Sequence, residues 1–573
     1  MDALEATPPP GAARRLLRSV LGADVRRLWL AVVVVLLQQA AALAGPVFVA
    51  VTIDRAVPAL RGGDAGPLVA VAVGCTCCVT AAGVLQSLFV RLSAGIGQRV
   101  VAEIRMRLFT HLQAQSVAFH DEHASGTLAA RASGDVDAVR GLFLSGLDQI
   151  VTAAVSLVYI ASALLMLDLP LGLAALAALA PVCWTMRSFR RRSLPVYHRR
   201  STAAGAVAGD LRETFAGIRT VRAFGREGAN ERRFAGLDRR HRDENERAEL
   251  EMARYVTSSR LVANAAVAGL VLWGGYRVAG GTLEVGAYAG VVLYLRDLYD
   301  KPLRLGGVLD AYQAAAASLG KIAVLLAVRP AVAEPACPVP LPAGRGVRFE
   351  NVSFAYDGGP DVLRGFGLTL AAGRTVALAG PSGGGKSTLA KLLARFHDPT
   401  AGRVLLDGVD LRDLSAADLR HGVVMVPQES FLFSGTVAEN IALGRPDASP
   451  EEIRYAAEAT GAHRFISALP DGYATDAGGR FSAGQRQLVA LTRVFLVNPS
   501  VIVLDEATAV LDIPTERAVH EAMRTVFRGR TVLVVAHRPS TLRIADRVLV
   551  LADGRVVQDC APAELTALTP RKS

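Results

Sequence analysis

A glycine-rich segment in the second half of the chain constrains the fold more than any other feature. It runs from Gly380 to Ser387 and reads Gly-Pro-Ser-Gly-Gly-Gly-Lys-Ser. The apolar residues 375–378 precede it, and a helix-like pattern follows from Leu389. A strand, a glycine loop and a helix in this order fit the pattern G-x-x-x-x-G-K-[ST], whose backbone N–H groups and helix N-terminus face a phosphate. A glycine-rich turn without a ligand is the alternative, and the flanking strand and helix favour a nucleotide site.

The candidate phosphate ligands are the residues of this loop and the residue after it. They are Gly380, Pro381, Ser382, Gly383, Gly384, Gly385, Lys386, Ser387 and Thr388. The Lys386 ammonium can reach the β- and γ-phosphates, and the Ser387 hydroxyl can coordinate Mg²⁺. ATP and Mg²⁺ are therefore the predicted ligands.

Composition excludes an ordinary soluble protein. The 573 residues are 51% hydrophobic with a mean hydropathy of +0.33, and the apolar runs lie before about Leu305. The net charge is +11, but the arginines cluster beside the apolar runs instead of forming a basic stripe on a soluble domain. This pattern argues against nucleic acid and for a membrane protein with its basic loops in the cytoplasm. The cysteines at 75, 77 and 78 lack zinc-site spacing and are interpreted as apolar filler.

Apolar runs in the first 305 residues predict six membrane spans, because a span needs about 20 apolar residues. They cover approximately residues 28–51, 67–92, 142–167, 171–186, 261–278 and 285–305. Two long Arg-rich segments, 93–140 and 187–260, lie on one side and are assigned to the cytoplasm together with both termini. A cleaved signal peptide is the competing interpretation of the first run, and its continued hydrophobicity to Val51 disfavours cleavage.

Two polar groups in the predicted spans allow two interpretations each. Run six carries Arg296, Asp297, Asp300, Lys301 and Arg304. These side chains either line a translocation pathway or form solvated i,i+4 pairs near the cytoplasmic surface. Gln38 and Gln39 in run one either face a pathway or form hydrogen bonds between helices.

Further candidate residues follow strand-like or helix-like patterns in the second half. Tyr356 is placed to stack on adenine, while Phe354 fits a core position better. Gln428 ends an apolar strand and could sense Mg²⁺ and the attacking water. Ser482 precedes a helix, where it either helps to bind an anion or simply caps the helix.

Two acids end the apolar run that begins at Val501. Asp505 can hold Mg²⁺, and Glu506 is placed to polarise the attacking water. Two solvated acids at a strand end are the alternative, disfavoured because such strand ends are usually partly buried. His537 follows another apolar strand, 531–536, and can contact the γ-phosphate.

The chain resembles a half-transporter of the ATP-binding cassette (ABC) exporter family over nearly its whole length. The cassette motifs are residues 380–387 (Walker A), Gln428 (Q-loop), residues 481–485 (signature), residues 501–506 (Walker B), Asp512 (D-loop) and His537 (switch histidine). The membrane half shows Phe119-His120-Asp121, Ser125-Gly126, Arg131 and Asp135 in its first cytoplasmic loop, and Glu213, residues 217–221 and residues 224–227 in its second.

The resemblance implies a six-helix α-helical membrane bundle followed by an α/β P-loop ATPase cassette. The implied boundaries are 1–25 for a cytoplasmic lead-in, 26–327 for the membrane domain, 328–346 for a linker and 347–573 for the cassette. It also implies a dimer in which each ATP lies between one subunit's Walker A loop and the other's signature, here Ser482, Gly484 and Gln485. Catalysis would involve Lys386, Gln428, Glu506 and His537, with Mg²⁺ at Ser387, Gln428 and Asp505. Short helices near 118–123 and 216–225 would transmit the motion.

Two departures from the family pattern concern the signature. Phe481 and Ala483 replace the family's leucine and glycine, and the preceding segment 473–480 is short and lacks Gly-Glu. Both changes are compatible with an asymmetric heterodimer.

The sequence thus predicts an ATP-hydrolysing subunit of an exporter in a bacterial-type plasma (inner) membrane. The predicted cargo is hydrophobic or amphipathic, of the drug, lipid or peptide class, and the second half-transporter is either identical or different. Two alternatives are an ATP-binding regulatory half and an importer built on the exporter fold. The regulatory alternative predicts a lost Glu506 or His537, and both residues are present.

Overall fold

The computed structural model describes residues 11–123, 125–142, 147–356, 358–428, 430–478, 481–505, 513–536 and 538–564, apart from the side chains of residues 23, 147–148, 302–311, 313 and 314. The chain divides into two compact units. One comprises the residues up to Leu112 together with Gly126–Val328, and the other comprises Gln113–Ser125 and the residues from Arg329 onward. The segment Gln113–Ser125 of the first long loop therefore belongs to the unit that contains the cassette.

The described residues up to Ala327 are mostly helical. The helices are α1 (Ala12–Leu21), α2 (Val25–Ala42), α3 (Gly45–Val51), α4 (Val57–Arg61), α5 (Gly66–Gln113), α6 (Val117–Glu122), α7 (Ser125–Ala130), α8 (Val136–Gly141), α9 (Leu147–Leu167), α10 (Leu169–Ala177), α11 (Leu179–Ala216), α12 (Ile218–Ala223), α13 (Glu227–Ala279) and α14 (Val285–Ala327). Two π-helical turns, Thr52–Ala56 and Arg131–Asp135, join α3 to α4 and α7 to α8. The predicted lead-in contains α1, a helix that the apolar pattern did not predict.

Among the described residues, five helical stretches are long and apolar enough to cross a membrane. They are Val25–Arg61, Gly66–Gln113, Gln149–Leu167, Leu169–Ala216 and Glu227–Ala279. The sixth predicted run lies in α14, which continues as one helix to Ala327. The described residues of the six apolar runs are almost entirely helical, and α5 and several other helices extend far beyond the run itself.

Polar contacts join helices of the membrane unit. The Tyr294 hydroxyl donates to the carbonyl oxygen of Leu43, beside the break between α2 and α3. Gln39 is 4% exposed and accepts a 2.9 Å hydrogen bond from Ser156 of α9. This contact supports the interhelical interpretation for Gln39. On α14, Arg296 and Asp297 are exposed, while Tyr294 is fully buried.

The second unit contains two sheets. The strands are β1 (Val347–Ala355), β2 (Asp361–Leu370), β3 (Thr375–Ala379), β4 (Ala401–Leu406), β5 (Val409–Asp410), β6 (Val423–Val426), β7 (Val501–Asp505), β8 (Thr531–Val535), β9 (Arg547–Ala552) and β10 (Arg555–Cys560). An antiparallel sheet has the order β2-β1-β4-β5, and a six-stranded sheet has the order β10-β9-β3-β8-β7-β6.

Helices pack around these sheets. They are α15 (Lys386–Leu393), α16 (Ala416–Gly422), α17 (Val437–Ala442), α18 (Pro450–Ala459), α19 (His463–Ile466), α20 (Ala483–Val497), α21 (Ile513–Phe527) and α22 (Pro539–Leu542). Strands β3 and β8 are buried along their whole length, as expected for parallel strands covered on both faces. Their carboxyl ends meet at one edge, which is where ligands bind in open α/β sheets.

The segment predicted as a linker forms bonds with the cassette. Val339 N–H donates to the carbonyl oxygen of Asp413 over 2.8 Å, and the Arg345 carbonyl oxygen accepts from the Thr531 hydroxyl over 2.6 Å. Much of residues 328–346 is therefore part of the cassette's hydrogen-bond network.

Candidate functional site

Backbone geometry explains why glycines are needed in the loop after β3. Gly380 has a φ of +131°, and a Cβ placed there would lie 2.0 Å from the carbonyl oxygen of Leu551 in β9. Gly385, the residue before α15, has a φ of +95°. Side chains are strained in both conformations, so the loop can turn this tightly only with glycine. The predicted strand, loop and helix are all present here.

Lys386 is the first residue of α15 and is 5% exposed. Its Nζ donates to the carbonyl oxygens of Gly380 at 2.9 Å and Pro381 at 2.7 Å. The ammonium therefore lies inside the loop that the backbone forms around it. A phosphate in this loop would be within reach of an ammonium that already has its position fixed.

Two oxygen-bearing side chains meet at the edge of the sheet. Ser387 Oγ lies 3.3 Å from Asp505 Oδ1, at the end of β7. A hydroxyl and a carboxylate are hard oxygen ligands that suit Mg²⁺, which commonly takes a P-loop hydroxyl and a carboxylate together with phosphate oxygens. Gln428 follows β6, whose Val426 pairs with Leu504 of β7, so it extends from the neighbouring strand end. These residues fit the predicted magnesium site.

Tyr356 lies beside the helix that follows the loop. Its hydroxyl is 3.1 Å from the Thr388 hydroxyl, and the residue is 39% exposed. The ring makes edge contacts with Phe354 and with His397, at centroid distances of 4.9 and 5.4 Å. Phe354 is buried in the core, as predicted, so Tyr356 is the aromatic side chain of this pair that can meet a base.

The signature residues form the start of α20. Ser482 Oγ accepts from Gln485 N–H, and the Gln485 side chain accepts from Ser482 N–H, which is a capping box. The Ser482 side chain is exposed, and Gly484 is buried. Ser482 therefore caps α20, which is one of the two interpretations given above. This cap leaves the N-terminus of the helix available to an anion.

The first departure from the family signature has a structural explanation. Phe481 is 6% exposed, and its ring packs edge-on against Phe465 at 5.9 Å. The side chain thus fills an apolar core position, where phenylalanine can replace leucine. Arg486 holds the Phe481 carbonyl oxygen at 2.6 Å, which fixes the approach to the helix.

Three predicted site residues lie outside the described residues: Glu506, Asp512 and His537. Asp505 precedes Glu506, and β8 ends at Val535, two residues before His537. Their assigned roles stay predictions.

An ion pair near the site was not predicted. Lys391 Nζ, on α15, lies 2.7 Å from Asp121 Oδ2 of α6. Burial lowers the pKa of Lys391, but the hydrogen bond and charge of Asp121 outweigh it, and the pKa is raised above its usual value. The two residues are 270 positions apart, so only the family pattern around Asp121 hinted at a function there.

Comparisons with known proteins agree with this geometry. The family model described as "ABC transporter transmembrane region" matches residues 28–298, and the model "ABC transporter" matches residues 363–509. A solved structure of a bacterial Atm1-family ABC exporter with ATP bound superposes with a TM-score of 0.80 and 30% identity, covering 96% of each chain.

Named relatives span most of the chain. An ATP-dependent lipid A-core flippase of Syntrophus aciditrophicus is 35% identical over 83% of this chain and 80% of its own length. A fatty acid ABC transporter protein of Mycobacterium bovis is 34% identical over 82% and 75%, and a putative multidrug export protein of Bacillus subtilis is 35% identical over 80% and 80%. These matches confirm the predicted fold class, and the chain belongs to the ABC transporter family as an exporter-type half-transporter, a multi-pass membrane protein with an ATPase domain.

Proposed function

We propose that this chain is one half of a dimeric exporter that hydrolyses ATP to move a hydrophobic or amphipathic compound across a bacterial-type plasma membrane. The observation that carries the proposal is the loop around Lys386, with Ser387 and Asp505 3.3 Å apart, in a chain whose other half is a membrane bundle. ATP and Mg²⁺ are the proposed ligands. The cassette and both termini are proposed to lie in the cytoplasm, where the Arg-rich loops belong.

The residues take separate roles in this proposal. Lys386 and the loop N–H groups bind the β- and γ-phosphates, and Tyr356 stacks on adenine. Ser387, Asp505 and Gln428 hold Mg²⁺, which when bound neutralises phosphate charge. Glu506 orients and polarises the attacking water.

A second chain completes the site. Ser482, Gly484 and Gln485 are proposed to contact the ATP held by the partner subunit, and Asp512 and His537 to act where the two cassettes meet. The exposed Ser482 side chain at the N-terminus of α20 supports this assignment, since such a terminus favours an anion. Either an identical or a different half-transporter can supply the complementary face.

The cargo is proposed to be a drug, lipid or peptide with substantial apolar surface. The relatives' names refer to a lipid A-core, fatty acids and multidrug export, which share an amphipathic or hydrophobic character. On α14, the exposed Arg296 and Asp297 are candidates for the polar part of the pathway.

The test is the ATPase rate of the purified full chain in lipid nanodiscs, beside Glu506→Gln. We expect robust wild-type hydrolysis that falls at least ~100-fold in the variant, because the attacking water loses its carboxylate. Glu521→Gln is the matched control, since it removes an exposed carboxylate of α21 in the same cassette.

Each result has a distinct meaning. Activity of the chain alone identifies a functional homodimer, and a panel of amphipathic compounds can then be ranked by stimulation and by ATP-dependent uptake into inside-out vesicles. Activity that requires co-expression with a second half-transporter identifies a heterodimer. ATP binding without hydrolysis under both conditions would contradict the proposed catalytic role, and uptake only into right-side-out vesicles would contradict export.

A further inference from the structure

A half-buried arginine on α20 holds three oxygen atoms of another part of the cassette. Arg493 Nε donates to the carbonyl oxygen of Asn440 over 2.5 Å, Nη1 to that of Phe431 over 2.8 Å, and Nη2 to Asn440 Oδ1 over 2.7 Å. These acceptors are all neutral oxygens, and burial lowers the pKa of the guanidinium. Removing a charge from water is costly unless its donors are satisfied, and the planar fork of arginine satisfies three at once.

Asn440 extends this network to the following residues. It is 3% exposed, and its Nδ2 donates to the carbonyl oxygens of Phe433 at 2.9 Å and Thr436 at 3.0 Å. Its Oδ1 also accepts from Phe433 N–H at 2.9 Å. Arg493 and Asn440 together therefore hold residues 431–436 against α17 and α20.

The segment 431–436 begins close to Gln428, which is one predicted ATP contact. Helix α20 begins beside Ser482, which is another. Phe431 comes three residues after Gln428, which lies at the edge of the sheet next to Asp505. Arg493 is eleven residues beyond Ser482 on the uninterrupted helix α20, a distance of about 16 Å along the axis. The guanidinium thus connects the loop of Gln428 to the helix that presents Ser482.

We propose that Arg493 is a positioning residue that couples the two ATP sites of the dimer, an inference that rests on the function proposed above. Gln428 acts at the ATP of its own chain, whereas Ser482 faces the ATP of the partner. When the γ-phosphate draws the Gln428 loop inward, the Phe431 carbonyl moves, and the three hydrogen bonds of Arg493 transmit this displacement to α20. Arg493 itself touches neither nucleotide.

The informative substitution is Arg493→Lys. Lysine keeps the charge and suits a helix, but its single ammonium cannot reach Phe431 O, Asn440 O and Asn440 Oδ1 together. Arg530→Lys is the matched control. Arg530 is a buried guanidinium in the same cassette whose Nη2 donates to Asn498 Oδ1 at 2.7 Å and whose Nη1 donates to the Val526 carbonyl. It contacts the C-terminal end of α20, at the cap Asn498 and the Phe495 ring, but neither the Gln428 loop nor the signature.

The experiment measures binding of a fluorescent ATP analogue, ATPase rate and thermal unfolding for the full chain in nanodiscs. We expect a wild-type Hill coefficient above 1, falling to 1 in Arg493→Lys, with half-saturation within twofold and kcat about tenfold lower. Arg530→Lys should lower the melting temperature comparably while leaving the Hill coefficient and kcat at the wild-type values.

Three results would overturn this inference. The first is a Hill coefficient of 1 in the wild-type chain, and the second is an Arg493→Lys variant whose Hill coefficient and kcat equal those of the wild type. The third is an equal loss of Hill coefficient and kcat in both arginine variants. Failure of the proposed function looks different. It would appear as a wild-type chain that binds ATP and does not hydrolyse it, in which case the binding isotherms still report on coupling.

Discussion

The Walker face and the signature face of the cassette carry equally specific motifs but are built differently. The Walker face consists of residues 380–388 with Asp505, and its polar groups contact one another: Lys386 with its own loop, and Ser387 with Asp505. The signature face consists of residues 482–485. There Ser482 and Gln485 bond each other within the first turn of α20, and the Ser482 side chain points to solvent.

The Walker face is therefore a site that one chain organises by itself, whereas the signature face is an exposed surface to which a ligand must be brought. On the Walker face the sheet edge, the glycine backbone and the buried ammonium fix the position of a phosphate before it arrives. On the signature face the capping box satisfies part of the first turn of α20, and the positive end of the helix dipole stays exposed. A phosphate delivered by a second cassette is the ligand that we propose for this surface.

The largest expected effect comes from Lys386→Ala. We expect the ATPase rate to fall by about 10²- to 10³-fold, because the developing phosphate charge loses a preorganised cation. The melting temperature should also fall, since the substitution removes a buried ammonium that donates to the carbonyl oxygens of Gly380 and Pro381. Lys321→Ala, at an exposed lysine of the membrane unit, is the control and should retain the wild-type rate. A rate within tenfold of wild type would contradict the role of Lys386.

Combining Lys386→Ala with Ser482→Ala tests whether each ATP site is built from residues of both subunits. If the two faces meet between subunits, a dimer with one substitution in each copy keeps one intact site, whereas a dimer with both substitutions in the same copy has none. Tagged copies purified in tandem allow both dimers to be assayed. Equal or reversed activities would contradict the assignment of Ser482 to the partner's ATP.

A smaller effect is expected from Gly380→Ala. A methyl group there would lie 2.0 Å from the Leu551 carbonyl oxygen at a φ of +131°, so both a clash and backbone strain must be relieved. Gly383→Ala is the matched control, because its φ is +83° but a Cβ would meet nothing within 4 Å. We expect the control to cost about 1–2 kcal/mol of unfolding free energy and Gly380→Ala to cost more and to weaken ATP binding. Equal melting temperatures would show that the β9 contact is unimportant.

The Walker face was predictable because its pattern is local. One strand, four glycines and a helix start lie within twenty residues, and each element has its own sequence signal. Tyr356 could be predicted only as a candidate, since its contact with Thr388 joins residues 32 positions apart. The burial of Phe354 follows from strand alternation, which is again a local signal.

The remaining contacts depend on distant residues. No periodicity marks Arg493 as different from any other arginine in a helix, because its acceptors lie in another segment. The linker residues 328–346 lack a regular pattern, yet the Arg345 carbonyl bonds Thr531 across 186 positions. Likewise, α1 forms in a segment whose composition indicated only a lead-in, and its Ser19 accepts a hydrogen bond from Arg107 of α5 at 3.0 Å.

The smallest expected effect concerns the ion pair between α6 and α15, the helix that follows the Walker loop. In a double-mutant cycle of Lys391→Met and Asp121→Asn, we expect a coupling of about 0.2–1 kcal/mol in unfolding free energy, which is typical of exposed pairs and weakens with salt. The Arg547–Asp559 pair, at 2.6 Å on β9 and β10, is the matched control and should give a similar stability coupling. Only the Lys391–Asp121 cycle should also change the ATPase rate, by a few-fold, because α6 belongs to the loop that leads back to the membrane helices. Unchanged rates in that cycle would restrict the pair to a structural role.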